Sequence, residues 1–160
     1  MTSDFRLAND AWEAYYRTQA TIARELADSD IWGGLLDKEY AVLYALSSQP
    51  DGLRITELGE DVLLTQPGMS RLVIRLETRG LVERRSDVDA RASRICLTAA
   101  GLQIQRSVGA ALSRRIADVM TRALNAQQLE QLRDLSVQLL AGAEGTAAVV
   151  QQKALERMHP

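Results

Sequence analysis

A chain of 160 residues, 46% hydrophobic and 25% charged, has the apolar content for one sizeable buried core and lies in the ordinary globular range. A single cysteine, Cys96, excludes an internal disulfide framework, and the net charge of −2 argues against a nucleic-acid partner only if that charge is spread evenly. The opening MTSDFRLANDAWE carries acidic residues by positions 4 and 10, so no signal peptide is expected. No run approaches the ~18 apolar residues that span a bilayer; a cytoplasmic protein with no membrane partner is the expectation.

In chain order, Phe5, Ala8, Trp12, Tyr15, Ile22 and Leu26 recur at helical spacing and predict an amphipathic helix. Gly33 and Gly34 break it, and Asp37 is expected to cap a second helix carrying Tyr40, Leu43, Tyr44 and Leu46. Gln49-Pro50-Asp51-Gly52 reads as a turn, and a short helix follows at about 55–62. Thr65 can cap a fourth helix, with Pro67 in its first turn, Met69, Leu72, Val73 and Leu76 inward, and Gly80 as its stop. The period then changes. Residues 81–85 and 94–98 are short, partly alternating runs around SDVDARAS, which predicts a β-hairpin with a charged tip, the one strand signal in the chain. Thr98 is placed to cap a long helix over about 99–123. Asn125 with Gln128 resembles a capping box that opens a last helix, its stripe open to interruption at Gly142–Gly145.

The expected fold is mostly α with a small β-hairpin wing: a winged helix-turn-helix over 35–101, an N-terminal helix within 1–34, and C-terminal helices over 102–160. A helix of about 25 residues is ~37 Å long, more than a small trihelical core covers. A second copy of the chain is the simplest partner for its apolar stripe, and a homodimer is expected.

Charge is distributed unevenly. Residues 66–94 hold Arg71, Arg75, Arg79, Arg84, Arg85, Arg91 and Arg94 against Glu77, Glu83, Asp87 and Asp89, a balance of +3 on an otherwise acidic chain. Helix 65–79 would lie in the major groove of double-stranded DNA, presenting Thr65, Gln66, Gly68, Ser70, Arg71 and Arg75. Gln suits adenine edges, Arg suits guanine or phosphate, and Gly68 permits close backbone approach. Arg91 at the wing tip is long enough to enter a minor groove. Of Arg84 and Arg85, one is expected to face phosphate and the other solvent, in an order left open. Asp89 is a turn residue, an arginine orienter, or both.

The run S-R-L-V-I-R-L-E-T-R-G-L-V-E-R-R (70–85), continued by D-x-R-x-x-x-I-x-L-T-x-x-G from Asp89 to Gly101, resembles the multiple-antibiotic-resistance regulator (MarR) family, as does Ile55-Thr56-Glu57-Leu58. The detailed match covers about residues 54–101. The resemblance implies a triangular homodimer, with the N-terminal helix and the two C-terminal helices as its dimer domain, on a pseudo-palindromic operator. It also implies a minor-groove role for Arg91 and an arginine-orienting role for Asp89. Two departures stand out: Arg54 occupies a position where a capping Ser or Thr is common, and Ile74 replaces a frequent aspartate.

All seven aromatic residues lie within the first 44 positions. The reading segment therefore lacks the stacking platform that single-stranded nucleic acid needs. In the family this region often takes anionic aromatic ligands, so Trp12, Tyr16, Trp32, Tyr40 and Tyr44 are read either as ordinary core aromatics or as an effector pocket. Cys96 lies in the return strand, not in the first helix where one branch of the family carries a peroxide-sensing cysteine, and reads as a packing or semi-exposed strand residue. With His159 as the lone histidine, no metal site is expected; no cofactor and no catalytic constellation is visible, so no enzymatic activity is expected. The reading is a DNA-binding regulator, acting as a repressor relieved by a small molecule. The alternative is a winged-helix protein-interaction module.

Overall fold

The computed structural model describes residues 2–62, 65–86 and 93–158, with side chains throughout except at 2, 3, 60, 61 and 146–158. Two compact units divide the chain, residues 1–116 and 117–160. The first contains α1 (Thr2–Ala27), a 3-10 turn (Asp30–Trp32), α2 (Asp37–Ser47), α3 (Ile55–Val62), α4 (Gln66–Thr78), β1 (Val82–Ser86), β2 (Ser93–Leu97) and residues 99–116 of α5 (Ala99–Thr121). The second holds the end of α5 and α6 (Ala126–Met158). The chain is thus mostly helical with a hairpin wing, as the sequence predicts. Among the described residues no helix is long and apolar enough to cross a membrane.

Helix ends follow from local chemistry. Thr65 is extended, and its hydroxyl accepts the Gly68 N–H at 3.4 Å, which starts α4. At the other end Gly80 adopts φ 69°, a left-handed conformation costly for residues with a Cβ, and the Leu81 N–H returns to the Leu76 carbonyl at 2.9 Å. Arg54, which brings no capping oxygen, is served from within α3: the Glu57 carboxylate accepts its N–H at 2.6 Å. α2 departs from expectation. Its cap is Leu36, extended at φ −82°, and Asp37 is the first helical residue instead. The Glu39 carboxylate covers the Leu36 N–H at 2.9 Å, so the helix starts without a capping side chain on the residue before it. Asn125 and Gln128 do form the reciprocal box, at 2.9 and 3.0 Å. α6 then runs on past Gly142 and Gly145. Each glycine costs about 1 kcal/mol relative to alanine, which the surrounding alanines and the absence of proline offset.

The hairpin pairs Val82 with Leu97 and Ser86 with Ser93 in antiparallel register. Leu53 adds a one-residue bridge on the free edge of β2: its N–H donates to the Ile95 carbonyl at 3.0 Å and its carbonyl accepts the Ile95 N–H at 2.8 Å. Arg94 reinforces the edge by donating to the Gly52 carbonyl at 2.7 Å. Thr98 closes the neck of the wing. Its hydroxyl donates to the Gly80 carbonyl at 2.7 Å and accepts the Gly101 N–H at 3.0 Å, while its N–H reaches the Leu81 carbonyl at 3.2 Å.

The core takes Leu43 and Leu46 from α2, Leu58 from α3, Met69, Val73 and Leu76 from α4, and Ile95 from β2, all fully buried. Each such side chain contributes roughly 1.5–3 kcal/mol. Cys96 is buried beside them in β2. Where α5 crosses the hairpin neck, a Cβ on Gly101 would run into the Leu81 carbonyl, a backbone atom that cannot swing aside. Gly101→Ala is therefore expected to lower unfolding stability by about 2–3 kcal/mol, the usual cost of overpacking, despite the better helix propensity of alanine. Urea denaturation checks this; an unchanged midpoint would refute it.

Candidate DNA-binding surface

With Met69, Leu72, Val73 and Leu76 in the core, the 3.6-residue period turns Pro67, Arg71, Ile74 and Thr78 to the opposite side of α4, where all four are exposed. α3 packs against α4 from one side, and β1 follows directly from α4. Two flanks separate the outward stripe from the core. One, carrying Arg75 and Arg79, faces α2; the other, carrying Glu77, faces the wing.

On the α2 flank lies the charged centre of the unit. Glu39 is buried, with 3% exposure. Its carboxylate takes Arg75 Nη2 at 3.0 Å on one oxygen and Arg79 Nη1 at 3.1 Å on the other, besides the Leu36 N–H. An unpaired carboxylate at that depth would be strongly unfavourable, and two guanidinium partners with a backbone donor satisfy it. The reading helix is thereby tied to the start of α2. On the wing flank, Arg84 Nε donates to Glu77 at 3.2 Å, joining β1 to α4. Both groups are partly exposed, so the pair is worth at most about 1 kcal/mol. Arg85 turns back to Glu83 at 2.7 Å; that hydrogen bond raises the guanidinium pKa further and keeps the group cationic.

These pairings sort the expected contacts. Arg71 is exposed and has no ion-pair partner among the described residues. Arg75, Arg84 and Arg85 each have one. Thr65 and Gln66 are exposed at the helix start, and Gly68 and Ser70 are half-buried. Asp89 and Arg91 lie outside the described residues. Sequence reasoning left out three groups. Lys38, with Asp37 next to it, lines a groove of about 410 Å³ shared with Gly68, Arg71 and Arg75, three cations against one carboxylate. Glu39 reads in the sequence as one more acidic residue in a first turn. Ile74 is apolar yet 53% exposed, and its departure from the family pattern was its only signal.

The five aromatic residues form two groups. Trp12 and Tyr16 stack at 6.1 Å on α1, both largely exposed. Trp32 meets Tyr40 edge-on at 6.0 Å, Tyr40 meets Tyr44 at 6.1 Å, and the Trp32 indole donates to the Leu26 carbonyl at 2.8 Å. Tyr40 and Tyr44 line a groove of about 380 Å³ with Ala41, Ala45 and Val62. Among the described residues no ring contact joins the two groups.

Two packed helices only three residues apart in the chain, a hairpin beside the second, and a cationic outward stripe on that helix define a winged helix-turn-helix protein. A profile of the MarR family matches residues 33–92. The PcaV transcriptional regulator of Streptomyces coelicolor is 30% identical, over 84% of this chain and 98% of its own, with a TM-score of 0.67. Sco3205 of the same organism, a MarR family regulator solved in complex with DNA, is 23% identical over 84% of this chain and 86% of its own, at TM-score 0.73. MepR of Staphylococcus aureus, also solved with DNA, is 21% identical over 82% of this chain and 97% of its own, at TM-score 0.70. Among curated proteins no sequence matches significantly. The chain belongs to the MarR family of transcriptional regulators.

Proposed function

We propose that the chain is a homodimeric, sequence-specific regulator of transcription that binds a pseudo-palindromic DNA operator as a repressor and is released by a small aromatic or anionic effector. The observation that carries the reading is Arg71, a cation on the outward stripe of α4 with no ion-pair partner among the described residues, and with Lys38 of α2 lining the same groove. In the major groove Arg71 serves as a guanine or phosphate ligand, Thr65 and Gln66 meet bases at the helix start, and Lys38 meets phosphate. Arg91 serves the adjacent minor groove, and Asp89, Ser70, Gly68, Arg84 and Arg85 complete the contact surface. Arg75 acts through Glu39, holding the angle of α4. DNA complexes of Sco3205 and MepR, which share this fold, support the assignment.

Dimerisation is supported by apolar side chains left open on both units: Phe5, Leu7 and Trp12 on α1, and Leu135, Val137, Leu139 and Leu140 on α6, all at least 58% exposed. Exposed apolar surface of this extent is usual for an interface and unusual for a monomer. For the effector, the Tyr40–Tyr44 groove is the better shaped of the two aromatic groups; a ligand there biases α2 and, through Glu39, the seating of α4.

Footprinting on the DNA upstream of the protein's own gene, at several salt concentrations, tests the reading. Expected is a protected site two half-turn-related segments long, with a log–log salt slope steeper than about −3, the release from four or more phosphates. Addition of a salicylate-like compound is expected to weaken protection. Binding that ignores sequence, or none, favours a protein-interaction module instead.

A further inference from the structure

Ile74 stands at the centre of the outward stripe of α4, one turn after Arg71 and one turn before Thr78, with 53% of its surface open. Among the described residues its side chain borders only an open groove of about 440 Å³, shared with Gly34, Leu36 and Thr78. The core face of α4 is complete without it, and the cations on either flank are already committed, Arg75 and Arg79 to Glu39 and Arg84 to Glu77. The stripe itself holds no acidic residue, so nothing on it repels a phosphate backbone. The Thr78 hydroxyl donates to the Ile74 carbonyl at 2.8 Å, and Thr78 lies one turn after the isoleucine on the same exposed stripe. An apolar patch therefore lies within the polar reading face.

The floor of the major groove offers one apolar feature, the 5-methyl group of thymine. Most of the remaining edge is hydrogen-bond donor or acceptor that a branched hydrocarbon would desolvate at a cost, and the cytosine C5–H offers no protruding carbon to pack on. We infer that Ile74 is a specificity-determining residue that packs on a thymine methyl, next to the base pair or phosphate that Arg71 reads. The inference rests on the DNA-binding reading above and deepens it.

The test needs an operator first, obtained by selecting bound duplexes from a random pool with the wild-type protein. Each thymine of the selected site is then replaced by uracil, which deletes the methyl and leaves base pairing intact. Expected is one thymine per half-site whose replacement lowers wild-type affinity about fourfold, the worth of one buried carbon. Ile74→Ala is expected to bind the thymine duplex about fourfold or more weakly and to lose all sensitivity to uracil at that position. Because Ile74 is exposed, this variant is expected to melt within about 2 °C of wild type. An operator with no methyl-sensitive thymine overturns the inference, as does an equal uracil penalty in Ile74→Ala. Failure of the wild type to select any duplex overturns both the inference and the DNA-binding reading, whereas selection without methyl coupling overturns the inference alone.

Discussion

Replacing both Arg75 and Arg79 by alanine is expected to destabilise the protein by about 4 kcal/mol, lowering the melting temperature by roughly 12 °C. The cause is the carboxylate left behind. Glu39 is 3% exposed, and with both guanidinium groups gone the Leu36 N–H is its one remaining partner among the described residues. A buried charge stripped of its counter-charges costs more than the pair ever contributed, because desolvation is no longer offset. Either arginine alone leaves one partner in place, so each single replacement is expected to cost only about 1 kcal/mol, half the double-variant loss when summed. The two changes are then strongly non-additive, since the second removes the last compensation. Urea unfolding of the wild type, both single variants and the double variant closes the cycle. A double-variant loss equal to the sum of the singles would mean that Glu39 does not couple the two residues.

Arg71→Ala is expected to do the opposite: to leave the melting temperature unchanged and weaken operator binding by at least tenfold. Its side chain is exposed and bonded to nothing in the described structure, so folding loses little. A base or phosphate contact by arginine is worth about 1–3 kcal/mol, and a two-fold operator counts it twice. Arg133 provides the control. It lies in α6, exposed and paired with Asp134 at 2.9 Å, and its replacement by alanine is expected to alter neither quantity. Arg75→Ala falls between them, losing affinity together with stability. Equal affinity losses in the Arg71 and Arg133 variants would remove α4 from the interface.

Much of this architecture is legible in the sequence because its determinants are local. Thr65, Pro67 and Gly80 mark the ends of α4, and the 3.6-residue spacing of Met69, Leu72, Val73 and Leu76 marks its buried face. The Asn125–Gln128 box is likewise a four-residue signal. Features resting on distant partners are silent. Glu39 lies 36 and 40 positions before the arginines that neutralise it, and nothing near it in sequence announces them. Leu53 joins the sheet through a single residue, too short for any period to register. Asp37 has the composition of a cap and is not one, because the Glu39 carboxylate already serves the Leu36 N–H. The candidate site follows the same division. The stripe bearing Arg71 follows from periodicity, whereas the commitment of Arg75, Arg84 and Arg85 to carboxylates depends on the fold. Charge counted along the sequence therefore overstates the cations free to meet DNA.

The knot of bonds at Thr98 has an evolutionary corollary. Because Gly80, Leu81, Thr98 and Gly101 are tied to one another at the base of the hairpin, the strands are anchored to α4 and α5 whatever number of residues separates Ser86 from Ser93. Doubling the length of any closed segment costs only about 0.6 kcal/mol of closure entropy. Insertions and deletions between Ser86 and Ser93 are therefore expected to leave the orientation of α4 unchanged, so lineages can vary that segment without renegotiating the rest of the unit.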